Sequence, residues 1–328
     1  MKYRQIGSDP ATSRTVSVLS LGAMLFGTRT DEETAYAILD RYTEAGGTFV
    51  DTANTYAYWL DDSQGGASEE VLGRWRRSRG IGDEITIATK LGARPLAPGT
   101  GWIENGDGLS ARNIRIASEQ SRERLGMDRL PLLYAHVRDR ATPLAETVEG
   151  FAAVVADGTV GLLGVSNHWA WQVERSRAIA AAAGLPGYEV LQYSHSYLRR
   201  RTDRPDATHQ EGPVGVVGGD LLTYLREEPR LAMVAYTPLL GGAYTQENRP
   251  FGEDFDHAGT PVRLAVLDEV AKETGATRNQ VVLAWLIGGE IPVIPLVGAS
   301  SVAQLDESLA AVDLELSEEQ RARLDGAH

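Results

Sequence analysis

The chain has no cysteine among its 328 residues. Disulfide frameworks, thiolate metal centres and cysteine nucleophiles are thereby excluded, and nothing points to an oxidising compartment. Long apolar runs are missing too. No stretch approaches the ~18 residues that a membrane-spanning helix needs, and the opening Met1-Lys2-Tyr3-Arg4-Gln5 has no apolar leader character. A soluble, cytoplasmic protein is the expectation. Positive charge is in deficit: 32 Lys and Arg against 45 Asp and Glu give a formal net charge of −13. That argues against nucleic acid or an anionic membrane as partner, while an anionic small ligand can still find a local site of opposite sign. No Pro- or Ser-rich linker, internal repeat or low-complexity segment divides the chain.

What is present is an alternation of short apolar or β-branched runs with longer amphipathic stretches, the rhythm of a parallel sheet covered by helices. After an N-terminal segment expected to form a short hairpin, eight strands are predicted at 16–21, 48–52, 85–90, 130–136, 161–166, 189–194, 232–237 and 291–297. Helices are predicted at 31–45, 68–79, 110–125, 144–157, 169–183, 218–228, 261–274 and 277–287. The first of these has an acidic start and ends at Gly46-Gly47. Eight such pairs imply closure into a (β/α)8 TIM barrel, a single α/β domain over 1–328, and no Gly-x-Gly-x-x-Gly follows the first strand to suggest a Rossmann fold. Long loops at 57–66, 91–109, 197–217 and 241–260 follow strand ends and would overhang the C-terminal face, where loops of this length serve as binding or lid elements.

Asp51, Lys90 and His136 fall at the ends of successive predicted strands, and Tyr56 closely follows the first of them. In a barrel, strand ends share one face, so these residues would converge. Taken singly, each has a plain reading: a structural ion-pair partner, a loop aromatic, a solvated strand-end charge, a half-buried histidine. Together they form a proton-donor site. Tyr56 would be the acid, Lys90 the ammonium that lowers its pKa, Asp51 the carboxylate that holds Lys90 charged, and His136 a donor to a substrate oxygen. No metal cluster or nucleophile accompanies them, so reducing equivalents would come from a bound hydride carrier.

The run Asp51-Thr52-Ala53-Asn54-Thr55-Tyr56, then Ser68-Glu69-Glu70-Val71-Leu72-Gly73, Thr89-Lys90 and Tyr134-Ala135-His136, resembles the aldo-keto reductase family. The likeness extends from Leu19-Ser20-Leu21-Gly22-Ala23-Met24 to Leu316-Ser317-Glu318-Glu319-Gln320. It implies that Asp51, Tyr56, Lys90 and His136 are a catalytic tetrad, and that the barrel binds extended NADP (as NADPH), with NAD second. By position, Gly22, Ala23, Met24 and Asp51 would border the nicotinamide, and Ser166, Asn167 and Gln192 would hold its carboxamide. Tyr236, Thr237, Pro238, Leu239 and Gly241 would stack on the ring and wrap the pyrophosphate. Gly298, Ser300, Gln304, Glu307 and Ser308 would hold the adenosine end, where small residues let backbone amides approach phosphate.

The sequence departs from the family pattern at two places. Members usually carry Lys or Arg at the adenosine segment for the 2′-phosphate, whereas this chain has Gly298, Ser300, Ser301 and Gln304, and Ser308 replaces a common Asn. Hydroxyl donors hold a phosphate less firmly than a bidentate Arg. The second departure is the long stretch 57–66, which adds Tyr58 and Trp59 beside the proposed acid. With Phe26, Trp102 and Arg138, these are the expected substrate wall for a small carbonyl compound, a sugar or an aromatic. Reduction of an aldehyde or ketone, or its reverse, is the expected activity. Two alternatives remain: a Schiff-base lyase or aldolase using Lys90, and a cofactor-binding sensor with little turnover. His195 and His209 have no companions for a metal site, and the charge run Arg199-Arg200-Arg201 is expected to be solvated. Oligomeric state is not legible.

Overall fold

Eight parallel strands close into a ring in strict chain order. The computed structural model describes residues 1–61, 63–98, 106–201, 203 and 212–328. An antiparallel hairpin comes first, with β1 (Tyr3–Ile6) paired to β2 (Arg14–Ser17). The barrel strands are β3 (Ser20–Gly22), β4 (Phe49–Asp51), β5 (Thr86–Leu91), β6 (Leu130–Ala135), β7 (Val160–Ser166), β8 (Val190–Ser194), β9 (Ala232–Tyr236) and β10 (Val293–Gly298). Neighbours in sequence are neighbours in space, and β10 pairs back onto β3 with Leu296 opposite Ser20 and Gly298 opposite Gly22.

The helices fill the outer ring: α1 (Glu32–Glu44), the short α2 (Tyr58–Asp61), α3 (Ala67–Arg79), α4 (Ala111–Leu125), α5 (Leu144–Ala156), α6 (Ala170–Ala182), α7 (Gly219–Glu227), α8 (Gly259–Thr274), α9 (Arg278–Ile287), α10 (Val302–Ala310) and α11 (Glu318–Gly326). Local signals set their ends. Asp31 caps α1 by accepting from the Thr34 amide, and Ser110 caps α4 in the same way through Asn113. Gly126, left-handed at φ 64°, stops α4.

Apolar side chains divide into two layers, as a barrel requires. Outside the sheet, Ile38, Leu39, Trp75, Ile114, Phe151, Val173 and Leu267 pack helices on strands. Inside it, Phe49, Ala88, Leu132, Tyr134, Leu162, Val190, Val234 and Ile294 fill the interior, joined by Ile6 and Val16 from the hairpin. The hairpin is therefore a plug in the barrel's core and not an appendage. Each fully buried Leu, Val or Ile in these layers contributes about 1.5–3 kcal/mol.

The structure corrects the expected elements at three points. The predicted strand 16–21 is divided: the Val18 amide donates to the Lys2 carbonyl at 3.0 Å and Ser17 Oγ donates to the Leu19 carbonyl at 2.8 Å. These bonds turn a corner between hairpin and barrel, so the first barrel strand begins at Ser20. The loop 57–66 contains α2. Past the eighth strand lie α10 and α11, and α11 is announced by a capping box of Ser317 and Gln320 that the periodicity reading passed over.

Candidate active site

The β4–β5 ladder continues past the end of β4. The Thr52 amide donates to the Ala88 carbonyl at 2.8 Å and the Asn54 amide to the Lys90 carbonyl at 3.1 Å, which keeps the chain beside β5 until the turn that carries Tyr56. Across the next pair, the His136 amide donates to the Leu91 carbonyl at 2.9 Å. Asp51, Tyr56, Lys90 and His136 thus meet at the C-terminal mouth of the barrel.

The Lys90 ammonium has three protons and three acceptors: Asp51 Oδ1, the Thr52 carbonyl at 2.9 Å and the Tyr56 hydroxyl at 2.8 Å. The other Asp51 oxygen accepts from Gln192 Nε2 at 2.7 Å. Lys90 and Asp51 are both 0% exposed, so this is an ion pair cut off from water. Burial pulls the Asp51 carboxyl up and the Lys90 ammonium down, and the opposite charge of the partner offsets each shift. Burial also pushes the Tyr56 hydroxyl well above the ordinary phenol range, with the Asp51 charge adding to it. The expected lowering by Lys90 is outweighed, and Tyr56 keeps its proton. His136 is pushed well below the usual histidine range by burial and by the Lys90 charge, so its imidazole is neutral. Its ring meets Tyr56 edge-on, centroids 5.8 Å apart.

A supporting layer lies behind these groups. Ser68 Oγ donates to the Ala23 carbonyl at 2.7 Å and pairs with Thr52 Oγ1 at 2.6 Å. Glu69, wholly buried, accepts from Thr89 Oγ1 at 2.5 Å and from Arg124 Nε at 2.6 Å. The start of α3 is thereby tied to the two strands that carry Asp51 and Lys90. Sequence reasoning used Ser68 and Glu69 only as a motif and missed these bonds.

Around the mouth, Asn167 Nδ2 donates to the His136 carbonyl and to Ser166 Oγ, each at 3.0 Å, and Asn167 Oδ1 accepts from the Tyr236 hydroxyl at 2.8 Å. Gly22 pairs with both Asp51 and Gly298, the Ala23 amide donates to the Asp51 carbonyl at 2.9 Å, and Met24 is exposed. Thr237 Oγ1 lies 2.9 Å from Ser194 Oγ, and the Pro238 carbonyl accepts from Ser196 Oγ at 2.6 Å. Leu239 precedes a 3-10 turn over Leu240–Gly242, and Arg249 Nη1 donates to the Gly241 carbonyl at 2.6 Å. Arg249 is a cation near this turn that the sequence reading did not single out.

The non-glycine residues with left-handed backbone among those described are Ala57, Asn167, Thr237 and Leu240, at φ 68°, 55°, 52° and 49°. All four follow barrel strands on this face, where strain of this kind marks functional sites. At the far end, Ser300 donates through its amide and its hydroxyl to Gln304 Oε1, both at 2.9 Å. Ser301 caps α10. Glu307 accepts from Thr277 Oγ1 at 2.8 Å, and Ser308 Oγ turns back to the Gln304 carbonyl at 3.3 Å. A Cβ added at Gly241 or Gly298 would meet nothing, so both backbones face open space and fit an extended ligand.

The expected substrate wall is brought together in part. Tyr58 is buried against Trp59, ring centroids 5.2 Å apart, while Trp59 is 47% exposed. Phe26 is packed into the core at 1% exposure, and Arg138 is half-buried beside His136. Trp102 and His209 lie outside the described residues. His195 stands against Trp285 with centroids 5.8 Å apart, and Arg200 and Arg201 are tied to Asp254 and Asp203 at 2.7 and 2.6 Å. No cluster of three or more potential metal ligands occurs among the described residues, and none of their helices is long and apolar enough to cross a membrane.

A sequence profile described as the aldo/keto reductase family matches residues 18–328. Among individual relatives, norsolorinic acid reductase stcV of Emericella nidulans is 32% identical over 97% of this chain and 79% of that protein. An uncharacterized oxidoreductase of Bacillus subtilis, YrpG, is 30% identical over 97% of this chain and 93% of its own length. An aryl-alcohol dehydrogenase of Pestalotiopsis microspora is 28% identical over 94% of this chain and 78% of its own.

Proposed function

The chain belongs to the aldo/keto reductase family of oxidoreductases, and on that premise we propose that it reduces an aromatic aldehyde or ketone to the alcohol, or runs the reverse, with Tyr56 as proton donor. The observation that carries this reading is the direction of one hydrogen bond. Lys90 donates to the Tyr56 oxygen at 2.8 Å. The phenol's own proton is thereby left for a carbonyl oxygen at the mouth. His136, neutral and edge-on to Tyr56, orients that oxygen. Asp51 fixes Lys90, which in turn stabilises charge developing on Tyr56 as the proton leaves.

A nicotinamide dinucleotide, when bound, would supply the hydride. Ser166, Asn167 and Gln192 would hold its carboxamide. Gly22, Ala23 and Met24 would border the ring, Tyr236 to Gly241 would hold the pyrophosphate, and Gly298, Ser300, Gln304, Glu307 and Ser308 would take the adenosine end. NADP(H) is the first choice and NAD(H) the second. Tyr58, Trp59 and Arg138 would line the substrate side of the mouth. An aromatic substrate is favoured over a sugar by these side chains and by relatives named for norsolorinic acid and aryl alcohols. The three acceptors around Lys90 speak against a Schiff base, which needs a free neutral amine. The test is titration with NADPH and NADH followed by tryptophan fluorescence, then single-turnover oxidation of the bound cofactor by benzaldehyde derivatives. Saturable binding and aldehyde-dependent oxidation are expected; binding of neither nucleotide would overturn the reading.

A further inference from the structure

Beside the tetrad lies a buried phenol that the mechanism above does not use. Tyr134 is on β6, in register with Lys90 on β5 and Gly164 on β7. A Cβ at Gly164 would stand 2.4 Å from the Tyr134 ring and 2.9 Å from the Val190 carbonyl of β8. The ring therefore crosses the barrel interior over this glycine, toward the strand that carries Gln192. Lys90 Nζ is 5.8 Å from its centroid. The Tyr134 hydroxyl is buried within range of the Asp51 charge and is approached by the Gln192 side chain, but no hydrogen bond of ordinary geometry to the described residues takes up its proton. A phenylalanine would fill the same space without enclosing an orphaned donor, so the hydroxyl calls for a partner in another state of the enzyme.

Gln192 indicates which state. Its amide donates to Asp51 Oδ2 at 2.7 Å, and under the proposed function the same amide meets the nicotinamide carboxamide. We propose that Tyr134 is a positioning residue: its hydroxyl takes over as donor to Asp51 when Gln192 turns to the cofactor. The inference rests on the cofactor reading above. The groups facing Asp51 are Lys90 from β5, Tyr56 from the loop after β4, Gln192 from β8 and Tyr134 from β6. Lys90 is the one cation among these four, and the neutral Tyr134 donor keeps the carboxylate ionised once Gln192 has turned away.

Tyr134→Phe in the full chain tests this, because it removes one oxygen and keeps the ring over Gly164. Thermal melting and NADPH-dependent tryptophan quenching are expected to match the parent. With a benzaldehyde derivative, kcat is expected to fall about ten-fold with KM little changed. The acid limb of the kcat profile is expected to move to higher pH, since a carboxylate that loses a donor protonates more readily. A variant with parental kcat and an unmoved acid limb would overturn the inference while leaving the cofactor reading intact. Failure of the parent to bind either nucleotide would overturn both.

Discussion

Lys90 Nζ and the Tyr56 hydroxyl are 2.8 Å apart, and the lysine is the donor. This single polarity separates two functions that one oxygen performs. Its lone pair is committed to Lys90 in the barrel interior, and under the proposed function its proton is the one delivered to the substrate oxygen.

Tyr56→Phe leaves the ring in place and removes that proton. Turnover is expected to fall by about 10³-fold, with cofactor affinity close to that of the parent. Steady-state rates with a benzaldehyde derivative, set beside fluorescence titration, check both halves.

Removing Lys90 acts on the fold as well as on the chemistry. Lys90→Met strands the wholly buried Asp51 without its cation, and unfolding in urea should show a loss of about 3–5 kcal/mol. Asp51 with its neutral Gln192 bond alone does not compensate. Parental stability for this variant would mean that water reaches the pair.

His168 gives stability an acid dependence. Its Nδ1 donates to the Ser166 carbonyl at 2.8 Å, and burial pulls its pKa from 6.5 down to about 4. The unfolded chain therefore binds more protons between these values, so stability falls as pH drops through that window. Comparing denaturation at about pH 7 and pH 5, His168→Gln should lose about 2 kcal/mol less than the parent. Equal losses would place the acid sensitivity elsewhere.

At the end proposed for adenosine, Ser300 uses its amide and hydroxyl on Gln304. Ser300→Arg adds a bidentate cation, and NADPH affinity is expected to rise about ten-fold while NADH affinity changes little. An equal rise for both nucleotides would show that the new charge meets the pyrophosphate instead.

The convergence of the four candidate residues was legible because their positions at strand ends depend only on period and order. Asp51, Lys90 and His136 needed no knowledge of pairing partners, and Tyr56 followed from its motif. Bonds between strands distant in sequence were not legible. Nothing local to Gln192 shows that it donates to Asp51, 141 positions away. Nor could Tyr134 be read as an orphaned phenol, since its environment is made by Gly164 and by strands that meet only on closure. Phe26 read as a wall residue because it follows β3, yet side-chain direction in an irregular loop is set by packing and it turned inward. The corner at Ser17 was hidden for a similar reason: Val16-Ser17-Val18-Leu19 has uniform β propensity, and only tertiary hydrogen bonds break it.

Closure of the ring through β10 and β3 also has a consequence for biosynthesis. A nascent chain that has emerged through β9 already carries Asp51, Tyr56, Lys90 and His136, but its sheet still has two raw edges. Those edges are sealed when β10 leaves the ribosome and bridges them. Enclosure of the mouth where these four side chains meet therefore waits on β10, and until then the unfinished sheet is open to edge-to-edge association.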